Sequence, residues 1–222
     1  MTLMLRDDLS FCNSGNRLVF LDLAADRYFM LPNDLESAFR RLLVSAKNAE
    51  RDIEFECRLK SAGILVDDES AGSSLKAMTE RVAPTSEFSL RGKPTKLVLI
   101  LSSICIQIET ELMIRFRGLK PTIQMMRAER VRYGKKEPKE LLDRDAVVSS
   151  FLSTRRIVPT QDRCLSWAIS MARYLAKNGQ HSQLIIGVNT SPFSAHAWTQ
   201  QNDVVISDYI DRVRDYNPIL VS

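Results

Sequence analysis

Three side chains far apart in the chain, Cys164, His196 and Asp208, are of the types that make a thiol catalytic triad. Cys164 opens an apolar run to Lys177 that reads as a helix, and Asn178-Gly179 reads as its stop. Pro159, Thr160 and Asp162 lie just upstream, so the helix is expected to begin close to the cysteine. A thiol at a helix N-terminus feels the positive end of the macrodipole, and an adjacent imidazolium lowers its pKa further. The resulting thiolate is the nucleophile that acyl-transfer chemistry requires.

The other two members are expected on a β-meander. Ser182–Val188 reads as a strand, Thr190-Ser191-Pro192 as a turn, and Ala195–Thr199, which holds His196, as the return strand. Val204–Asp208 reads as a third strand. With a loop over 201–203, His196 and Asp208 fall directly opposite each other on one face. A loop one residue longer or shorter breaks that pairing.

Taken singly, each residue has a plain structural reading. A cysteine is often a small buried hydrophobe, a strand histidine often a satisfied core residue, and an aspartate an ordinary strand end. The three together also permit a zinc site. His181, in a loop after Gly179-Gln180, reads as solvated, and Cys12, Cys57 and Cys105 read as packing residues. Four widely spaced cysteines with no CxxC pair fit a reducing, cytoplasmic setting, and acids at Asp7 and Asp8 come too early for a signal peptide.

The net charge of +4 conceals three regimes. Residues 1–80 carry 10 basic and 14 acidic side chains, residues 81–160 carry 16 and 8, and residues 161–222 carry 5 and 5. Leu97–Ile108 is the longest apolar run, interrupted by Ser102, Ser103 and Gln107 and closed by Glu109 and Glu111. It falls short of the ~20 residues a membrane helix needs and is expected to be a buried helix rather than a peripheral membrane contact, with no integral membrane segment.

Leu18–Leu23 and Arg27–Leu31 read as two strands joined by 24–26. Pro32-Asn33-Asp34 starts a helix, Ile53–Ala62 makes a second that Gly63 stops, and Ile64–Val66 follows as an extended piece. Residues 67–74 are polar and contain Gly and Ser, the composition of a linker. Such a segment binds either nucleic acid, as a winged-helix-like domain, or a peptide that adds as a strand to its sheet edge. The acidic balance argues against nucleic acid. In the middle of the chain, helices are expected over 96–116, with breaks near Gly118 and Pro121, over 122–131 and over 141–152. Gly92-Lys93 and Gly134-Lys135 lack the upstream glycine of a phosphate-binding P-loop.

The ordered pattern Cys164-Leu165, Gly179, Leu184-Ile185-Ile186-Gly187-Val188, Pro192-Phe193, Ala195-His196-Ala197-Trp198 and Asp208 resembles the leader peptidases of lasso-peptide biosynthesis, the B proteins. The resemblance implies a transglutaminase-like cysteine protease with Cys164 as nucleophile, His196 as general base and Asp208 as its orienter. Gln161 is the candidate oxyanion side chain, beside the Cys164 backbone N–H. More loosely, "VFLDLAADRYFML", two helices and "LKSAGILVDD" resemble the PqqD-like precursor-recognition element of these proteins. That implies a leader peptide added as a strand beside Arg27, Tyr28, Phe29, Met30 and Leu31, packed against the helix with Phe55, Arg58 and Leu59.

The expected fold is therefore α+β: a small winged-helix-like, PqqD-like domain over 1–75, a linker over 76–84, and a papain/transglutaminase-like protease domain over 85–222. The expected activity is removal of the leader from a ribosomally made precursor through a thioester. The resemblance further implies a partner macrocyclase of asparagine-synthetase type, through which any ATP requirement would enter; the thiol chemistry itself takes no cofactor or metal. Two rivals share these residues: an acyl transferase that passes the thioester to an amine, and a non-catalytic precursor-binding chaperone.

Overall fold

The computed structural model describes residues 2–44, 53–68, 83–89, 96–134, 144–156 and 163–222. Gln161, Pro159, Thr160, Asp162, Gly92-Lys93 and most of the expected linker lie outside these residues.

The N-terminal part is built on a three-stranded antiparallel meander, β2 (Leu9–Ser14), β3 (Arg17–Asp22) and β4 (Arg27–Met30), in the order β2-β3-β4. A separate short pair joins β1 (Thr2–Leu5) to β5 (Leu65–Asp68). The meander is apolar on both faces, because successive side chains of a strand point to opposite sides. One face sends Phe11, Leu18 and Phe20 against α1 (Asn33–Val44) and α2 (Ile53–Ser61), where Phe39 and Leu59 complete the cluster. The other face sends Cys12, Val19 and Leu21 into the C-terminal core.

That core surrounds α6 (Cys164–Lys177), which is buried along most of its length. Three helices cover it: α3 (Leu97–Arg117), α4 (Leu119–Gly134) and α5 (Arg144–Ser153), the last continued by a 3-10 turn over Thr154–Arg156. Its other side lies on a five-stranded sheet, in which β7 (Gln183–Thr190) and β8 (Phe193–Gln201) form a long antiparallel hairpin. Outside β7 lies β10 (Asn217–Val221); outside β8 lie β9 (Val204–Val205) and then β6 (Ser86–Glu87). A short α7 (Ile210–Arg214) links β9 to β10.

Side chains from α6 alternate between apolar contacts and one fully buried charge. Arg173 donates to Glu129, to Glu109 and to Thr110 Oγ1, which ties α6 to α3 and α4. Helix α6 ends as its sequence indicates: Gly179 adopts φ 71°, a left-handed conformation that glycine takes without a Cβ penalty. Gly118 separates α3 from α4, whereas Pro121 does not break the chain. It sits in the first turn of α4, where a missing N–H costs little.

Three expectations about burial are corrected. Helix α3 is not a buried helix, since one whole side of it faces solvent. Cys57 and Cys105 are exposed rather than packed; only Cys12 of that set is buried. Leu31 and Leu59 are core residues, so neither has a surface to offer a bound peptide.

At Gly187 the sheet has room for nothing larger than hydrogen. A Cβ there would lie 2.8 Å from Tyr216 Cβ and 3.0 Å from the Trp198 ring. Gly187 pairs with His196 across β7–β8, so strain introduced there reaches the base directly. Gly187→Ala is expected to destabilise the protein by about 1–3 kcal/mol, as overpacking of a filled core does. Thermal unfolding measures this, and Cys164 reactivity should fall with it.

Candidate active site

The structure brings Cys164, His196 and Asp208 together. Cys164 is the first residue of α6, after Arg163, and no side chain caps this helix end. The first backbone N–H groups of the helix therefore have no intrahelical partner, and they stand beside the thiol. The Leu165 N–H is one of them and bonds Cys164.

The second donor to sulfur comes from the sheet edge. The odd-numbered backbone groups of β8 face the β9 side: Thr199 accepts from Ile206 N, and its own N–H donates to Ser207 Oγ. Of β8, strand β9 pairs only with Gln200 and Gln201, so that ladder stops before Ala197. The Ala197 N–H, next in that series, is left to bond the Cys164 sulfur. A strand two residues long thus opens the edge that the nucleophile occupies.

The expected opposition of His196 and Asp208 on paired strands is not what forms. The turn holds two residues, Asn202 and Asp203, with Asn202 at φ 51°, and the register sets Gln200 opposite Val205. Asp208 lies beyond the end of β9. The chain leaves the sheet after Val205, is held by Ser207 Oγ on Thr199 N, and curls back so that Asp208 Oδ2 lies 2.5 Å from His196 Nε2. The other Asp208 oxygen accepts from Tyr209 N at 2.8 Å, and Glu87 Oε2 accepts from Ile210 N at 2.8 Å. With Nε2 occupied by the carboxylate, Nδ1 is the ring nitrogen left for Cys164.

Electrostatics favour the charge-separated pair. Burial pushes the Cys164 thiol up, but hydrogen bonds from His196 and Ala197 N–H, the imidazolium charge and Leu165 N–H outweigh it, and the pKa falls below the ordinary thiol value. Burial works against a charged His196. Its bonds to Asp208 and Cys164, and the negative charges of both, overcome that and raise its pKa to about 9. Burial likewise raises Asp208, yet His196, the Tyr209 N–H and Arg212 carry it below the usual carboxylate range. Cys12, buried without such partners, is pushed up to about 12.

An expected labelling order follows. At mildly acidic pH, iodoacetamide should alkylate Cys164 ahead of Cys57, Cys105 and Cys12, and Cys12 should react last. His196→Ala removes the main group lowering the Cys164 pKa and should slow that reaction. Peptide mapping of a timed labelling reads both; even labelling of the two exposed thiols and Cys164 would show that the sulfur is not activated. The pH dependence of kcat/KM should be bell-shaped. Activity appears as Cys164 ionises, below the ordinary thiol pKa. It is lost as pH rises through about 9, where the raised pKa of His196 ends its supply of a proton for the leaving group.

Among the residues expected to bind a leader, Tyr28 is the one that feels the charge of the thiol. Its ring meets Phe193 edge-on at 5.7 Å, and it packs on the same core as Leu165 and Ala195, the neighbours of Cys164 and His196. Burial mainly, and the nearby Cys164 charge next, raise its pKa to about 12. Arg27 and Met30 are exposed, while Phe29 stacks on Phe20 and is partly core. Phe55 lies under Arg41 and Arg58, and Arg58 also pairs with Asp34.

Arg155, Trp167 and Ser207 carry no signature in the sequence that marks them as part of the site. Arg155 donates to the Ser207 carbonyl and lies over the rings of Trp167 and Tyr209, so it holds the segment that carries Asp208. No spacing in the sequence links Arg155 to Asp208; only the packing of α5 against α6 does. Among the described residues, no group of three or more His, Cys, Asp or Glu side chains is arranged to hold a metal ion.

A helix-borne cysteine against a strand-borne histidine, oriented by an acid, is the arrangement of a thiol acyl-transfer site. A family model for the transglutaminase-like superfamily matches residues 106–221, just over half the chain and all three site residues. The chain belongs to the transglutaminase-like superfamily, whose members are commonly cysteine proteases or acyltransferases. No curated protein sequence and no solved structure matches the chain significantly.

Proposed function

We propose that the protein is a cysteine peptidase that removes the leader from a ribosomally synthesised precursor peptide during lasso-peptide maturation. The observation that carries this reading is the position of β4. It ends its sheet, so its outer edge is unpaired among the described residues, and its Tyr28 reaches the thiol site. A peptide added as a strand to β4 satisfies that edge with backbone hydrogen bonds and delivers its downstream residues to Cys164. The meander with α1 and α2 then acts as the PqqD-like recognition element. Arg27 and Met30 are its exposed contacts, and Phe55 and Arg58 offer a further surface; Leu31 and Leu59 only support these from the core.

In the reaction, His196 holds the proton taken from Cys164 and Asp208 fixes the ring with Nε2–H toward its carboxylate. The thiolate attacks the scissile carbonyl, the N–H groups at the start of α6 receive the oxyanion, and His196 protonates the departing amine. Water then releases the leader from the thioester. The partner for the freed core peptide is an asparagine-synthetase-like macrocyclase, which also accounts for any ATP requirement.

Mass spectrometry of a precursor peptide incubated with the protein tests this reading. The expected products are an intact leader with a free carboxylate and an intact core with a new amine. A leader that leaves joined to an added amine would instead mark an acyl transferase, and an uncut peptide that remains tightly bound would mark a chaperone. Tyr28→Ala should raise KM for the precursor several-fold while Cys164 remains the first thiol that iodoacetamide labels, because no triad residue is changed.

A further inference from the structure

Among the described residues, helix α3 has one apolar side left uncovered. It turns Leu99, Ser103, Ile106, Gln107 and Thr110 inward, while Leu97, Leu101, Cys105, Ile108, Leu112 and Phe116 face solvent. Leu97 is 68% exposed and Phe116 77%, and between them Ile108 is 55% exposed, so the surface is continuous rather than a scatter of single residues. Steps of four, four, three, four and four residues keep these side chains on one line, which runs for about 30 Å along the helix axis.

We propose that this stripe docks on an anionic lipid surface, with α3 lying in the plane of the headgroups. Charge decides between the possible occupants. Lys96 is exposed at one end of the stripe, and Arg115 and Arg117 are exposed at the other. Helices α3 and α4 together carry six basic and three acidic residues; two of the acids, Glu109 and Glu129, are held by Arg173 and Lys177, and one of the bases, Lys120, is held by Asp8. A second copy of the chain would meet basic residues with basic residues in either the parallel or the antiparallel orientation. An anionic bilayer meets the same ends with phosphate: the apolar side chains enter the acyl boundary and the long basic side chains extend to the headgroups.

The helix lies on the membrane and does not span it. Gln107 bonds Thr154, and Thr110 bonds Arg173, so the inner side of α3 is tied by polar contacts to the rest of the fold. Docked this way, a soluble catalytic body is held at the surface while β4 and Cys164, on other elements, stay with the protein's own core.

Flotation of the full-length protein with vesicles tests the proposal. It should rise with phosphatidylcholine vesicles that contain phosphatidylglycerol, stay behind with phosphatidylcholine alone, and be released by high salt. Leu101→Glu with Ile108→Glu should abolish flotation while circular dichroism and Cys164 labelling remain unchanged. Arg115→Gln with Arg117→Gln should weaken binding by roughly thirtyfold at low salt, given the attraction each basic residue contributes near such a surface. A folded wild-type protein that fails to float with the anionic vesicles would overturn the proposal, as would binding indifferent to the Leu101 and Ile108 changes. A dimer in sedimentation that the same changes dissolve would assign the stripe to a second copy instead.

Discussion

Replacing Cys164 with alanine should abolish leader release, with kcat reduced by on the order of a millionfold, as when other nucleophiles of catalytic triads are removed. Among the described residues, nothing else in the site supplies a nucleophile: the Leu165 and Ala197 N–H groups at the sulfur are donors. His196→Ala should be nearly as severe, since it removes both the base and the main stabiliser of the thiolate. Asp208→Asn should leave more activity, about 10⁴-fold below wild type. The amide keeps a hydrogen bond with Nε2, but it no longer enforces the tautomer or stabilises the imidazolium. Peptide binding and the melting temperature should stay close to wild type for Cys164→Ala, a small change at a half-buried helix end. A Cys164→Ala protein that still releases leader at a comparable rate would remove the thiol from the mechanism.

The components of this site differ in how legible they are in the sequence. Helix α6 has a long apolar run and a glycine stop, and the β7–β8 hairpin has strand-like residues around a proline turn. Both are local signals, and both elements form where those signals put them. The partnership of His196 with Asp208 was also legible, but its cause was not. A regular third strand is expected, yet β9 stops after Val205; Ser207 Oγ accepts from the Thr199 N–H, and Arg155, distant in sequence, holds the Ser207 carbonyl. The burial of Leu31 and Leu59 is hidden in the sequence for a related reason. Alternation shows that a strand has two faces but not which of them is covered, and the β2-β3-β4 meander is covered on both. Leu97–Ile108 shows the converse limit: its composition is that of a core helix, and only the surrounding fold reveals that half of it is left outside.

Separating the two ends of the chain should have the second large effect. A division near residue 78 looks from sequence as if it would release a recognition fragment able to bind leader without cutting it. The packing predicts otherwise. Cys12, Val19, Leu21 and Leu23 are buried, and they share one cluster with Ile123, Ala168, Ile169, Leu184, Ile186 and Leu220. Fully exposing four such side chains costs roughly 2 kcal/mol each, about 8 kcal/mol for the N-terminal piece alone. A whole domain of ordinary stability has only about 5–15 kcal/mol in hand. Polar ties are lost as well, among them Lys120 to Asp8, Thr190 to Ser14 and Asn217 to Ser14. A fragment of residues 1–78 should therefore be insoluble or lack a cooperative unfolding transition, and residues 79–222 should lose the Tyr28 wall of the thiol site. Mixing the two pieces should restore a transition and part of the Cys164 reactivity, because the shared core re-forms. Circular dichroism melts of each piece and of the mixture read this directly. A 1–78 fragment that melts cooperatively by itself and binds leader at wild-type affinity would show that the shared core is dispensable and that recognition and cleavage are joined only by the tether.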